Sequence, residues 1–205
     1  MRFEIEQKFE PKSEGIESLT AEAEFVGEKI NHDEYFDNER YSLTTRDVWL
    51  RRRNGEFQMK VPFNEDIKDR TLDRYQELEG EEAIAEYFDW DLSARSFEDY
   101  LNENFAPFID FESTRQKFGH PGGFTIDIDR TDFDYDMLEI ELLVDNKEEM
   151  PEAAERIRNE AKKHGLKVGY RYGKVIELIR RQSPEHFKKL VEAGVIKEIK
   201  EDNEN

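Results

Sequence analysis

The sequence lacks cysteine, long apolar runs and a balancing supply of positive charge. Its 205 residues contain no Cys, which excludes disulfide bonds, thiolate metal ligands and a cysteine nucleophile. The longest stretch without Asp, Glu, Lys or Arg has nine residues, 118–126, far fewer than the roughly 20 that cross a bilayer as a helix. Charge follows Met1 at once, so we expect no secretory signal, no membrane partner and a cytoplasmic location.

The acidic excess limits the partners that the protein can have. The chain carries 31 Lys and Arg against 50 Asp and Glu, a formal net charge of −19. Such a charge repels nucleic acid and anionic lipid, and it favours a soluble monomer. The 15 Phe, 8 Tyr and 2 Trp supply enough large apolar side chains to argue against a disordered chain. We therefore expect an ordered, soluble protein that does not bind nucleic acid.

Short segments that alternate between apolar and polar residues fill the first two-thirds of the chain. This period of two is typical of β-strands. Asn54-Gly55 lies between two such segments and predicts a tight hairpin, because both residues tolerate a positive φ. The predicted strands are 3–9, 24–30, 32–37, 48–53, 57–61, 74–78, 108–118, 124–131 and 136–144. Short strands joined by turns indicate an antiparallel sheet or barrel.

Helical segments interrupt and follow these strands. Pro151 at the start, Glu152 in the first turn and Gly165 after the end predict a helix over 151–164. Further helices are predicted over 13–19, over 82–101 as one or two helices, over 174–181, and from Pro184 to about 194. We expect the late helices to pack on the strands, giving a single domain over 1–195 and a polar tail over 196–205.

Charged residues fall on one face of most predicted strands. Residues i and i+2 of a strand point to the same side, so Glu4, Glu6 and Lys8 share a face. The same holds for Arg51 with Arg53, Gln58 with Lys60, Tyr75 with Glu77, Asp127 with Asp129, and Glu139 with Glu141. A sheet with one solvated face explains any single strand. The segregation of acids and bases over the whole set instead favours a closed barrel whose charged side chains line a tunnel.

Such a tunnel predicts a ligand that carries both a metal and phosphate groups. Clustered carboxylates repel each other unless a divalent cation lies among them. Clustered Arg and Lys side chains need a polyanion. Ligation by oxygen atoms alone favours Mg²⁺, or Mn²⁺, over Zn²⁺. The pattern therefore indicates a metal–polyphosphate site.

These residues resemble a known family. The run Glu4-Ile5-Glu6-Gln7-Lys8 matches the Glu-x-Glu-x-Lys signature of the CYTH superfamily, the triphosphate tunnel metalloenzymes. The segments that follow in the family's order are Tyr35-Phe36-Asp37, Trp49-Leu50-Arg51-Arg52-Arg53, Lys60 before Val61-Pro62, Tyr75-Gln76-Glu77-Leu78, Arg115, Asp127-Ile128-Asp129, Glu139-Ile140-Glu141 and Lys174. The resemblance covers roughly residues 2–190 and is strongest to the animal thiamine triphosphatase branch. It departs from that branch at Phe36, where a second Tyr is common.

The resemblance implies an α+β, β-dominated fold: a closed eight-stranded antiparallel barrel with flanking helices. It implies hydrolysis of the terminal phosphate of a triphosphate, thiamine triphosphate above all. The implied metal ligands are Glu4, Glu6, Asp127, Glu139 and Glu141. The implied phosphate-binding residues are Lys8, Arg51, Arg53, Lys60, Arg115 and Lys174. The weaker site candidates are Tyr35, Tyr75, Glu77 and Asp129.

Trp49 would stack on the cationic thiazolium ring of thiamine. An indole face attracts a cation by roughly 0.5–2 kcal/mol, which supports this role physically. A core aromatic residue is the alternative interpretation of Trp49.

Three other functions fit the same sequence. An inorganic tripolyphosphatase would use the tunnel for the bare phosphate chain. An adenylyl cyclase would need a nucleotide pocket that the sequence does not reveal. A non-catalytic polyphosphate-binding module would keep the bases and lose carboxylates, whereas all the carboxylates are present. The histidines, His32, His120, His164 and His186, lie far apart without metal-ligand spacing, and we expect them at the surface or as helix caps.

Overall fold

The computed structural model describes residues 3–62 and 73–199. These residues form eight strands and six α-helices. The strands are β1 (Phe3–Phe9), β2 (Glu24–Asp37), β3 (Trp49–Arg53), β4 (Glu56–Pro62), β5 (Asp73–Glu79), β6 (Ala106–Gly119), β7 (Thr125–Thr131) and β8 (Met137–Val144). The helices are α1 (Ser13–Thr20), α2 (Glu81–Phe88), α3 (Phe97–Asn104), α4 (Met150–Lys163), α5 (Lys174–Gln182) and α6 (Pro184–Glu192).

The strands close into an antiparallel barrel in the order β1-β5-β4-β3-β2-β6-β7-β8. Two meanders, β2 to β5 and β6 to β8, meet at the β2–β6 pair, and β1 closes the ring between β5 and β8. The register places Glu6 opposite Glu141 and Lys8 opposite Glu139. Because directly opposed residues project to the same side, charged positions of neighbouring strands face the inside together. The predicted fold class is confirmed.

One strand is longer than the sequence suggests. The predicted strands 24–30 and 32–37 form a single strand, β2, of 14 residues. Asn31 has a low β propensity, yet the ladder continues through the pairing of Asn31 with Ser113 on β6. Pairing along β6 therefore overrides the local preference of Asn31, and the register shifts only between Phe25 and Gly27 and between Tyr35 and Phe36.

The helices follow the predicted segments closely. The segment 82–101 forms two helices, because Asp89 adopts a left-handed conformation (φ 59°) that ends α2. Ser96 then caps α3 by accepting a hydrogen bond from the backbone N–H of Asp99 (3.1 Å). Among residues 3–62 and 73–199, no helix has the length and apolar character needed to span a membrane.

The apolar residues of the barrel pack under the helices as three clusters, two on the outward face of the strands and one among residues that face the tunnel. The first joins β1, β7 and β8 to α1 and α4, and the second joins β3 and β4 to α2 and α3. The third lies under α5 and α6 and includes Tyr35 and Trp49. Representative buried residues of the three clusters are, in turn, Ile5, Ile126, Ile140 and Ile157; Leu50, Met59, Ile84 and Leu101; and Phe111, Leu178, Ile179 and Leu190.

The chain remains packed against the barrel past α6. Val195 and Ile196 are buried and line the tunnel, and the backbone N–H of Ile199 donates to the hydroxyl of Tyr172 (2.7 Å). The predicted polar tail thus begins with an ordered residue, and its positions 200–205 lie outside the described residues.

Candidate active site: a charged tunnel

The barrel encloses a cavity of about 340 Å³. Its lining includes the predicted residues Glu4, Glu6, Lys8, Tyr35, Trp49, Arg51, Arg53, Lys60, Tyr75, Glu77, Arg115, Glu139, Glu141 and Lys174. The predicted residues Asp127 and Asp129 are wholly buried behind this lining. Side chains from most of the strands and from the start of α5 therefore converge on one enclosed space.

Two groups of carboxylates share Glu141. One oxygen from each of Glu4, Glu6 and Glu141 lies within 4.8 Å of the others, and the same holds for Asp127, Glu139 and Glu141. The groups arise from register, because Glu141 is opposite Glu6 on β1 while Glu139 is opposite Asp127 on β7. Several oxygen atoms at this spacing are the ligand set that hard divalent cations prefer.

Three of these carboxyl groups have raised pKa values, because the nearby positive charge does not offset their burial and mutual repulsion. Burial raises the pKa of Glu141 well above its usual range, and Glu4 and Asp127 add repulsion. Burial also raises the pKa of Asp127 and brings the pKa of Glu4 to about 6. A divalent cation among them would relieve both the burial and the mutual repulsion. The residues therefore fit a hard metal ion.

Glu6 behaves differently because two lysines contact it. Burial alone would raise its pKa, but the charges of Lys60 and Lys8 lower the pKa of Glu6 well below its usual range. Lys8 Nζ lies 2.5 Å from Glu6 Oε1. Lys60 Nζ lies 3.5 Å from Glu6, 2.9 Å from Glu4 and 3.4 Å from Glu77. Glu6 is thus an ionised carboxylate held between two fixed ammonium groups.

Arg115 is the centre of a buried ion-pair network. Its guanidinium donates to both oxygens of Asp129 (2.7 and 2.6 Å), to Glu139 Oε2 (2.6 Å) and to Asp127. Lys174, at the first position of α5, also donates to Asp129. Those cations lower the pKa of Asp129 although burial opposes the change. Asp127 and Asp129 therefore fix Arg115 and Lys174 at the tunnel wall.

Strands β2 to β4, next to β6 in the barrel, carry two further fixed guanidinium groups. Arg53 makes a bidentate pair with Asp33 on β2 (2.6 and 2.7 Å). Arg51 donates to Gln58 Oε1 (3.0 and 2.8 Å) and to the hydroxyl of Tyr35 (3.4 Å). Hydrogen bonds of this kind hold arginine side chains in one orientation, as recognition of phosphate oxygens requires.

One end of the tunnel is aromatic and apolar. The Trp49 indole N–H and the Tyr75 hydroxyl both donate to Asp47 Oδ1 (2.9 Å each). Tyr35 contacts Trp49 edge-on, with ring centroids 6.5 Å apart. Trp49 is 6% exposed, lines the tunnel and also belongs to the third apolar cluster, so both sequence interpretations of this residue describe part of its environment.

The family model that describes the CYTH domain matches residues 2–169. The chain belongs to the CYTH domain family. Its predicted placement in that superfamily is thereby confirmed, while its placement beside the animal thiamine triphosphatases stays a prediction.

Solved structures share the architecture of this CYTH protein. The PH1819 protein of Pyrococcus horikoshii is 27% identical, with 87% of this chain and 99% of that chain covered and a TM-score of 0.66. A candidate adenylate cyclase from Vibrio parahaemolyticus is 20% identical, with 87% and 98% covered and a TM-score of 0.61. A candidate adenylyl cyclase from Hippeastrum, described as having a dominant triphosphatase activity, is 16% identical, with 88% and 96% covered and a TM-score of 0.57. The last two show the fold alone.

The CYTH tunnel contains charged residues beyond the predicted set. Asp33 precedes Tyr35 by two residues, and Lys117 follows Arg115 by two. Residues two apart on a strand face the same side, so the sequence could have indicated that Asp33 and Lys117 face the tunnel. Lys29 also lines the cavity, because it lies opposite Arg115 in the long β2–β6 pairing. That placement depends on pairing between distant segments, which the sequence does not specify.

The prediction for the histidines is wrong for His120 and His186, whereas His164 is the C-terminal cap of α4, as expected. His32 is exposed, but His120, His164 and His186 are buried. His186 stacks on Tyr41 at 3.9 Å, and its Nε2 lies 2.7 Å from the hydroxyl of Thr44. Sequence spacing could not reveal these contacts, since His186 and Thr44 are 142 residues apart.

Proposed function

We propose that this CYTH protein hydrolyses the terminal phosphate of a triphosphate, with thiamine triphosphate as the preferred substrate. The observation that carries the proposal is the meeting, in one enclosed cavity, of two carboxylate groups and several fixed ammonium and guanidinium groups. A polyphosphate chain complexed with a divalent cation matches both kinds of charge at once.

The carboxylates would hold Mg²⁺, or Mn²⁺. Glu4, Glu6 and Glu141 form one candidate ligand group, and Asp127, Glu139 and Glu141 form the other. A bound hard cation would neutralise phosphate oxygens and polarise water. The raised pKa of Glu141 supports this role, because a cation would offset the burial and the repulsion from Glu4 and Asp127 that raise it.

The bases would bind and orient the phosphate chain. Lys8, Lys60, Arg51 and Arg53 line the cavity on several strands, and Arg115 and Lys174 extend the set across it. In hydrolysis, the oxygen of water bonds to the terminal phosphorus while the bond to the bridging oxygen breaks. The electron pair of that bond goes to the leaving diphosphate, and water releases a proton. Fixed cations beside the leaving oxygens favour this loose transition state.

Inorganic tripolyphosphate is the second candidate substrate. The indole N–H of Trp49 is bonded to Asp47, and Tyr35 contacts its ring edge-on. A binding mode that uses only the charged walls needs no further contact with this ring. The Hippeastrum relative is described as having a dominant triphosphatase activity, which supports hydrolysis with either substrate.

A substrate panel tests the proposal. The protein is incubated with thiamine triphosphate, tripolyphosphate or ATP, with Mg²⁺, Mn²⁺ or Ca²⁺, and both phosphate and cyclic AMP are measured. We expect Mg²⁺-dependent phosphate release, fastest from thiamine triphosphate. Cyclic AMP formation would instead indicate a cyclase, and binding without turnover would indicate a polyphosphate-binding module.

Matched variants then test the site. Glu139→Gln and Glu141→Gln should each lower turnover and change its Mg²⁺ dependence, whereas Glu10→Gln, an exposed position just after β1, should change neither. Unchanged turnover in both tunnel variants would remove them from the site. Trp49→Ala should lower kcat/KM for thiamine triphosphate by about 2–30-fold relative to tripolyphosphate, the equivalent of one cation–π contact. Equal losses for both substrates would count against stacking.

A further inference from the structure

Two histidines and two glutamates meet outside the tunnel, where α1 and α4 cover the barrel. Glu22 follows α1, His120 begins the turn between β6 and β7, and Glu160 and His164 lie one helical turn apart at the end of α4. One ligand atom from each of the four lies within 4.8 Å of the others. None of these four residues lines the described tunnel.

His164 has the orientation of a metal ligand. Ser18 Oγ lies 2.8 Å from its Nδ1, and Glu160 Oε1 lies 2.9 Å from its Nε2. In the tautomer with its proton on Nδ1, the ring donates to the Ser18 hydroxyl oxygen and directs the lone pair of Nε2 at the carboxylates. In the other tautomer Nε2–H donates to Glu160, and metal binding would move that proton to Nδ1. Histidine ligands commonly donate their second ring N–H to an oxygen, and this bond fixes the ring.

His120 provides an independent observation. Its side chain is 5% exposed, and its Nε2 has no hydrogen-bond partner within residues 3–62 and 73–199. That nitrogen faces Glu160 Oε1 at 3.5 Å and Glu22 Oε2 at 3.9 Å. A buried polar atom without a partner is uncommon in a folded protein. The orphaned nitrogen therefore points into the same group of ligand atoms.

The second nitrogen of His120 determines what coordination requires. The backbone N–H of Gly122 donates to its Nδ1 (3.1 Å), which leaves the proton of the neutral ring on Nε2. Coordination through Nε2 moves that proton to Nδ1 and breaks the bond from Gly122. Metal binding thus costs His120 its hydrogen bond from Gly122 and gives its Nε2, which has no hydrogen-bond partner among the described residues, a bond to the metal.

We propose that Glu22, His120, Glu160 and His164 bind one transition-metal cation, with Zn²⁺ as the best fit. Two imidazole nitrogens and two carboxylate oxygens make a four-ligand set that Zn²⁺ binds tetrahedrally. Mg²⁺ and Ca²⁺ prefer oxygen atoms alone, so the tunnel and this site separate two classes of metal. In a chain without cysteine, the cation joins the segment after α1, the β6–β7 turn and α4, as a disulfide would elsewhere.

Lys163 lies beside the two carboxylates and competes with a metal. Its Nζ is 2.8 Å from Glu22 Oε2 and 3.3 Å from Glu160 Oε1. The side chain is 51% exposed, so it can turn into solvent when a cation enters. Lys163→Met should therefore tighten Zn²⁺ binding, by about 2–5-fold if each exposed ion pair has its usual strength. A cluster that serves only as a set of ion pairs predicts no such gain.

Zn²⁺ binding to the full chain, freed of metal by a chelator, tests the site. We expect one Zn²⁺ that is lost in His120→Gln and His164→Gln. It should be retained in the tunnel variant Glu141→Gln and in His32→Gln, which replaces an exposed histidine. Ser18→Ala should weaken binding about 10–100-fold, the usual effect of removing the partner of a ligating histidine.

Co²⁺ gives a signature that a carboxylate tunnel cannot. The proton NMR spectrum of the Co²⁺ protein should contain two shifted, exchangeable ring N–H resonances, one from each histidine, and Zn²⁺ should remove them by displacement. Circular dichroism checks that each variant is folded. Glu22→Gln changes a ligand at an exposed position and should lower the affinity even if a histidine variant fails to fold. Equal Zn²⁺ affinity in wild type and Glu22→Gln, or Co²⁺ binding without shifted N–H resonances, would overturn the proposal.

Discussion

Replacing Glu4 by Gln should stabilise the metal-free protein. Burial raises the pKa of Glu4 from 4.5 to about 6, and the attraction of Lys60 at 2.9 Å opposes this rise without cancelling it. When the pKa of a carboxyl is higher in the folded than in the unfolded protein, the unfolded state releases the proton first. The folded protein therefore loses stability as the pH rises from 4.5 to about 6, and the loss is complete above that range. The difference corresponds to about 2 kcal/mol at pH 7.5 and to less than half of that at pH 5.

Urea unfolding in the presence of a chelator measures this effect. The free energy of unfolding of Glu4→Gln should exceed that of wild type by up to about 2 kcal/mol at pH 7.5 and by less than half of that at pH 5. Glu10→Gln removes the same charge from an exposed position and should change the free energy by no more than about 0.5 kcal/mol at either pH.

Glu6, on the same face of β1, gives the opposite sign. Lys60 and Lys8 lower its pKa well below the usual range although burial opposes them, so its ionised form stabilises the fold at neutral pH. Glu6→Gln leaves two buried ammonium groups with one partner fewer and should destabilise the protein by about 3–5 kcal/mol. If Glu4→Gln were also destabilising at pH 7.5, the ion pair with Lys60 would outweigh burial, and the reasoning about Glu4 would be refuted.

Three further outcomes follow from other buried groups. Burial lowers the pKa of His186 from 6.5 to about 4, so the free energy of unfolding should fall by about 2 kcal/mol between pH 7.5 and pH 5. Urea unfolding of His186→Gln should lack this part of the pH dependence. The same pH dependence in wild type and variant would contradict the prediction. Arg115→Met leaves Asp127 and Asp129 as buried anions with too little positive charge nearby, and should lower the free energy of unfolding in urea by about 3–5 kcal/mol. A loss below about 1 kcal/mol would mean that the two carboxylates take up protons instead. Mg²⁺ with tripolyphosphate at 100 times its Kd should stabilise wild type by about 2.7 kcal/mol in thermal unfolding but Glu141→Gln far less; equal shifts would place the ligand elsewhere.

The barrel could be predicted because its local signals agree with its long-range pairing. Alternation over 3–9 and the turn residues Asn54 and Gly55, with φ of 50° and 92°, match the β1 strand and the β3–β4 hairpin. The break expected near Asn31 was wrong, since the ladder to β6 extends the strand regardless of local propensity. Local pattern therefore gives the elements, and pairing decides their length.

Much of the tunnel lining could likewise be predicted from strand alternation, because every second residue of a barrel strand faces inward. Contacts between distant segments could not be predicted in this way. The pairing of Arg53 with Asp33 depends on the β2–β3 register, and the meeting of His120 with His164 depends on how α4 packs. Neither arrangement has a characteristic sequence spacing.

The division of the buried apolar residues into three clusters has a consequence for how this protein opens. Hydrophobic stabilisation is divided among two clusters outside the barrel and a third among residues that face the tunnel, and each of these sectors packs under its own pair of helices. Such sectors are natural units of partial unfolding, and amide hydrogens in one pair of helices can exchange while the other pairs stay protected. Strands of all three sectors form the walls of the tunnel. Local unfolding of the least stable helix pair would therefore limit how long the binding residues of the tunnel stay in place.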